Sequence, residues 1–306
     1  MLAYAYKEEE IISLLQKYIK RLWHRNELCH QNDERKSIHA KRPKGKVSAP
    51  KHRKENLLII LKKTFNMRQQ AINAMNNNAA SYLAMGQETE AIDCLFKTLD
   101  LLSDVCKNID ESEEETNSTK YPVEPHATSV VPLFNTNAVI GSHADSSFVY
   151  NNGFVLTSKG RHHCDDQDIS VKSATVIYNM ALAYHRLVIS TPSSPCRGGW
   201  ISKAATFYEH AIQISLLGIQ STTGVRHRNA TITVALASYN NLGQINFDLL
   251  SDHDTARRCF ESVSYLMQSS LDEFQEGIPF SQEALDGIVS NLIFVNILTS
   301  RVAAAA

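Results

Sequence analysis

Residues 79–96 read AASYLAMGQETEAIDCLF, and the alternation of small and large residues in this stretch decides the fold. Ala79 and Ala91 are small, Tyr82 and Leu95 follow three or four positions later on the same helical face, and Gly86 stands where a helix must end and turn back. Two helices approach closely only where their facing residues are small. Ala79 against Ala91 therefore makes the narrow waist of a helical hairpin, and Tyr82 and Leu95 fill the space where the helices diverge. The same order recurs downstream. Ala181, Tyr184, Ala204, Tyr208 and Ala211 stand in NMALAYH and KAATFYEHA, and Leu242, Gly243, Ala256 and Phe260 in NNLGQ and TARRCF, pairing Ala181 with Ala204 and Gly243 with Ala256. Each hairpin keeps a second apolar face that only a neighbouring hairpin covers, so the repetition predicts an all-α array of stacked hairpins.

This spacing resembles the tetratricopeptide repeat, which implies a divergent tetratricopeptide-like helical hairpin array, an α-solenoid, here with long disordered insertions. The likeness holds in the middle of each unit and fades at the edges. TPSSPCRGG, residues 191–199, splits the second unit. The third carries one residue too many between Gly243 and Ala256, Asn246 stands where an aromatic is expected, and no unit has the closing Pro. A narrower resemblance rests on AMNNNAASYLAMG, FVYNNGFVL, VIYNMALAYH, VALASYNNLGQI and the closing VAAAA. These segments are similar to a large family of uncharacterised diatom proteins with such repeats, and that likeness implies no activity.

With 306 residues, 43% of them hydrophobic, the chain buries a sizeable core. A net charge of -1 hides an asymmetry: residues 35–54, RKSIHAKRPKGKVSAPKHRK, are basic without an acid, whereas 110–115, DESEEE, are nearly all acidic. LLIIL at 57–61 is far too short to cross a bilayer, and MLAYAYKEEEII has acids where a secretory signal needs bases. The cysteines at 29, 94, 106, 164, 196 and 259 show no paired spacing, and reduced core thiols are expected. The reading is of a soluble cytoplasmic protein, or a nuclear one if the basic segment is an import signal.

Periodicity divides the chain into an N-terminal amphipathic helix (1–30, with Ile11, Leu15, Tyr18 and Leu22 on one stripe), a basic flexible linker (31–55) and a first helical hairpin region (56–107). A mostly disordered insertion (108–170) follows, in which FVYNNGFVL alternates and predicts a short strand near 148–156 or a hairpin about Asn152 and Gly153. A helical-repeat region (171–301) closes the chain, with Ser281 capping a last apolar helix that packs on the end of the array.

Candidate chemistry is sparse. RHHCDDQD brings His162, His163, Cys164, Asp165, Asp166 and Asp168 together, but adjacent side chains in a loop do not converge on one tetrahedral ion and no second cluster completes a site. A dyad of Cys164 with His163 or His143 lacks a preorganised oxyanion donor. No metal, cofactor or catalytic residue is expected. Lys41, Arg42 and Lys44, followed by Lys51, Arg53 and Lys54, resemble a bipartite nuclear import signal, the bland reading being a charged, extended linker. Nucleic-acid binding is disfavoured, since one basic segment without interleaved aromatics gives only salt-sensitive phosphate attraction.

Asn77, Asn179 and Asn241 occupy one place in the three hairpins, two residues before Ala79, Ala181 and Gly243. The tetratricopeptide resemblance implies that this position faces the concave groove, where an amide both donates to and accepts from an extended peptide backbone. The alternative is an Asn bonding between neighbouring hairpins. Ala237 and Asn240 stand where a chaperone-type carboxylate clamp needs Lys or Arg. The function expected is a non-enzymatic scaffold that binds other proteins or peptides in a helical-repeat groove, without membrane contact. The alternatives are a nuclear accessory protein touching nucleic acid through residues 35–54 and, more remotely, a metal- or thiol-dependent enzyme.

Overall fold

The computed structural model describes residues 51–113, 128–133, 149–158, 166–221, 225–270 and 280–305. Among them are seven α-helices and one two-stranded sheet: α1 (Lys51–Ala84), α2 (Glu88–Glu113), β1 (Thr128–Pro132), β2 (Phe154–Ser158), α3 (Asp166–Ser190), α4 (Arg197–Ser221), α5 (Val225–Gln244), α6 (His253–Ser270) and α7 (Gln282–Ala305). The protein is mostly helical. It divides into two compact units, one from the described residues of Met1–Ile72 and Asp100–Tyr121, the other from those of Asn73–Leu99 and Pro122–Ala306. In the first, Gln69, Ile72, Leu102 and Val105 are buried. The second unit contains the features that follow.

The turn after α1 is built on Gly86, whose φ of 73° lies in the left-handed region that favours glycine. Its N–H donates to Leu83 O (3.0 Å) and the N–H of Gln87 to Tyr82 O (2.9 Å), the paired bonds of a Schellman cap. Arg186 of α3 clips onto this turn: Nη1 donates to Leu83 O at 2.6 Å and Nε lies 3.1 Å from Glu88 Oε1. The small residues Ala79, Ala91, Ala181, Ala204 and Ala256 are fully buried, as are Leu95, Tyr208 and Ala211. Helix α3 packs on α4, α4 on α5, α5 on α6 and α6 on α7, and α3 also meets α5. Tyr184 stacks on Phe207 across α3 and α4, with centroids 5.9 Å apart.

Gly218 and Gly243 lie at close helix contacts. A Cβ on Gly218 would fall 2.8 Å from Thr231 Cγ2. At Gly243 it would meet Phe260 Cζ at 2.8 Å, so the ring of Phe260 presses on this glycine. Ala256 and Phe260 also form a cluster with Phe247 and Leu292.

A π-helical turn, Ile245–Leu249, follows α5. Leu250 N–H reaches back five residues to Ile245 O (3.0 Å) and Asp252 N–H six residues to Asn246 O (2.8 Å), a wider turn than the α-helix makes. Asn246 is buried at the position where an aromatic was expected, its amide donating to Leu242 O at 2.8 Å. Asp252 then caps α6 by accepting from Thr255 N–H (3.0 Å), and Ser281 caps α7 by accepting from Ala284 N–H (3.2 Å).

Several expected boundaries move. Helix α1 starts at Lys51 and so takes in the last residues of the segment read as a flexible linker; residues 1–50 lie outside the described ones, including the expected N-terminal helix and Lys41, Arg42 and Lys44. Helix α4 begins at Arg197, inside the TPSSPCRGG run, because Gly198 and Gly199 fall in an exposed first turn, where glycine is tolerated. The insertion read as disordered contains ordered parts. Residues 108–113 extend α2, 166–170 open α3, and β1 pairs antiparallel with β2 in the register Val130↔Leu156. The turn about Asn152 and Gly153 does not form, because residues 150–153 are held extended by long-range partners rather than by a local hairpin.

Replacing Gly243 by Leu should drive a side chain into the Phe260 ring, at a typical overpacking cost of about 1–3 kcal/mol. Thermal melts should show Gly243→Leu well below wild type and Ala84→Leu, at a half-buried site, close to it.

Candidate functional site

A strand presents the N–H and C=O of alternate residues to the same edge. Leu133 N–H donates to Gly153 O (2.8 Å), which fixes residues 153, 155 and 157 toward β1 and leaves 150, 152, 154 and 156 facing the helices. Pro132, with no N–H, falls at a non-hydrogen-bonded position of this ladder, where it costs nothing.

The helix-facing edge is met by the three equivalent asparagines, each taking both polar groups of one residue. Asn241 accepts from Tyr150 N–H (2.8 Å) and donates to Tyr150 O (2.9 Å). Asn179 accepts from Phe154 N–H (2.9 Å) and donates to Phe154 O (2.8 Å). Asn77 accepts from Leu156 N–H (2.7 Å) and donates to Leu156 O (3.0 Å). Between the first two, the Tyr178 hydroxyl lies within reach of Tyr150 O (3.2 Å) and Asn152 O (3.3 Å). An amide is the one uncharged side chain with a donor and an acceptor side by side, and here it mimics a neighbouring strand.

Asn179 also donates to Asn76 Oδ1 (2.9 Å) and so bridges α1 and α3. Asn76 in turn donates to Phe154 O at 2.9 Å. Asn240 links Asn241 (3.1 Å) to Asn291 of α7 (2.8 Å), so the last helix is tied into the same amide chain. Asn179 and Asn241 are fully buried, and Asn77 is half-buried at the end of the row.

Side chains of the segment fill aromatic recesses. Phe154 packs on Tyr178 (4.8 Å) and Tyr150 (5.7 Å), and Tyr150 meets Phe280 edge-on (4.9 Å). Tyr150, Phe154 and Leu156 are essentially solvent-free, and burial stabilises Phe154 and Leu156 by about 1.5–3 kcal/mol each. Gly153 lets the backbone approach: a Cβ there would lie 3.3 Å from Ala80 Cα. Below them Tyr178, Tyr208 and His185 continue the cluster, and Tyr208 Oη accepts from Asn241 at 2.9 Å.

The surroundings favour neutral groups. Burial raises the hydroxyls of Tyr178, Tyr208 and Tyr150 far above the ordinary tyrosine range and lowers His185 to about 4. Burial also pushes the Cys259 thiol up to about 12, and Cys94, Cys196 and Cys259 are free thiols. Among the described residues no group of three His, Cys, Asp or Glu converges; Asp168 pairs with Lys172 at 2.6 Å, and residues 162–165 lie outside the described set. Lys51, Arg53 and Lys54 fall in the first turns of α1. No helix among the described residues is long and apolar enough to cross a membrane.

The partner of the asparagines escaped the sequence reading. FVYNNGFVL was seen as a strand, and the Asn row as a binding surface, but nothing in one sequence joins positions 79 or 91 residues apart. No protein-family model, curated protein or solved structure matches the chain.

Two measurements follow from this geometry. Asn179→Ala and Asn241→Ala each strand buried backbone groups, at about 1–3 kcal/mol per group, so both should melt well below an Asn78→Ala control at an exposed neighbouring site. His185, held neutral in the fold at about 4 against about 6.5 unfolded, takes up its proton in the unfolded chain first. Stability should therefore be complete above pH 6.5 and decline toward pH 4 by on the order of 3 kcal/mol, a slope that His185→Gln should flatten in denaturant titrations.

Proposed function

We propose that this protein is a non-enzymatic helical-repeat scaffold, a divergent tetratricopeptide-like array, whose groove binds extended peptide segments of other proteins. The observation that carries this reading is the row of Asn77, Asn179 and Asn241, each taking both backbone groups of one residue in an extended stretch. Such contacts read backbone conformation and leave side-chain pockets to set the sequence, which is how strand-adding peptide domains work. The neutral, dry surroundings, in which burial keeps His185 and the Cys259 thiol uncharged, suit recognition by hydrogen bonding and apolar burial.

The test is a full-length chain with residues 149–157 replaced by Gly and Ser, screened against displayed random peptides. Enrichment of peptides whose binding is lost in Asn77→Ala supports the scaffold reading, because Asn77 sits half-buried at the end of the row and its loss spares the core. A folded chain that enriches nothing rejects it.

A further inference from the structure

Whatever occupies the position of residues 150–156 is held on both edges, by asparagine amides on one side and by β1 on the other. Its side chains meet different demands along the way. The site of Tyr150 is a recess closed by Phe280 and Phe154; the site of Gly153 lies against Ala80 of α1, where a Cβ would be tight, 3.3 Å from Ala80 Cα and from Leu83 Cδ1; Phe154 faces Tyr178; Leu156 is buried. The native stretch meets these demands imperfectly. Asn151 buries both its amide atoms without a hydrogen-bond partner among the described residues, a cost that a small apolar residue would not bear.

We propose that residues 149–157 are a resident ligand of this groove, which an extended peptide of a partner protein replaces, and that the partner's segment carries an aromatic, a small apolar residue, any residue, Gly, an aromatic, any residue and an aliphatic in that order. This rests on the scaffold reading above and adds the partner's chemistry and the competition built into the chain. The pattern follows the sites of Tyr150, Asn151, Gly153, Phe154 and Leu156, and the small residue at the second place is where an external peptide gains over the internal one. Tethering gives the resident segment a high effective concentration, so an external peptide needs that gain to displace it.

The experiment titrates a fluorescent peptide of sequence VYNNGFVLTS, the chain's own residues 149–158, into the full-length chain whose residues 149–157 are Gly and Ser. Expected is one-to-one binding that raises the melting temperature. Affinity should drop tenfold or more when the peptide's Phe or Leu becomes Ala or its Gly becomes Val, and rise severalfold when the first Asn becomes Ala. The intact chain should bind the same peptide at least tenfold more weakly. A folded replacement chain that ignores the peptide overturns the proposal, and so does a dimer by light scattering in the intact chain with segments exchanged between copies, since the occupant would then be a second copy. Should the replacement chain fail to fold, hydrogen exchange of the intact chain decides. The amides of Phe154 and Leu156 should exchange at least tenfold faster than that of Ile177 in α3, and equal rates would show that the segment leaves only with global unfolding, ending the proposal. If the display screen enriches peptides of another pattern, the groove reading stands and this one falls.

Discussion

An extended stretch of backbone buried among helices carries polar groups that the helices, with their own hydrogen bonds closed, do not satisfy. The amide of asparagine resolves this conflict at Tyr150, Phe154 and Leu156, and the surrounding arrangement depends on it. Without those amides the aromatic recesses would be filled at the cost of stranded N–H and C=O groups, a cost that offsets much of what burial contributes. The Asn241 amide also holds Tyr208, and Asn179 ties α1 to α3, so one residue type both seats the segment and joins the helices.

The helix packing and the segment constrain each other. Small residues bring the helices near enough for the Asn row to share one line, and Gly153 brings the segment's backbone onto Ala80. Arg186 fixes the hairpin turn at Gly86 relative to α3 through Leu83 O and Glu88, which places Asn77 and Asn179 together. The π-turn at Ile245–Leu249 joins α5 to α6, which meet where Phe260 lies on Gly243.

What the sequence made legible was local. The spacing of Ala79, Gly86 and Ala91 marks a hairpin, Ser281 marks a helix start, and the recurrence of Asn two places before a small residue marks equivalent positions. The π-turn at Ile245–Leu249 was not legible, since a widened turn carries no composition of its own. Strand β1 was missed because TSVVP gains its reason to be extended only from Phe154–Ser158, and the occupant of the Asn row because its contacts are tertiary.

The order of the contacts along the chain has a consequence for synthesis. Tyr150 precedes Asn179 and Asn241, and its bond to Asn241 spans 91 residues, whereas the partner of Leu156, Asn77, lies 79 residues earlier. A chain made from its N-terminus presents Asn77 first, then the apolar segment, then α3, and only much later α5. The segment thus waits with its aromatics uncovered while most of the helical unit is still being made, and its final seating is a late, long-range closure of the kind that sets slow folding.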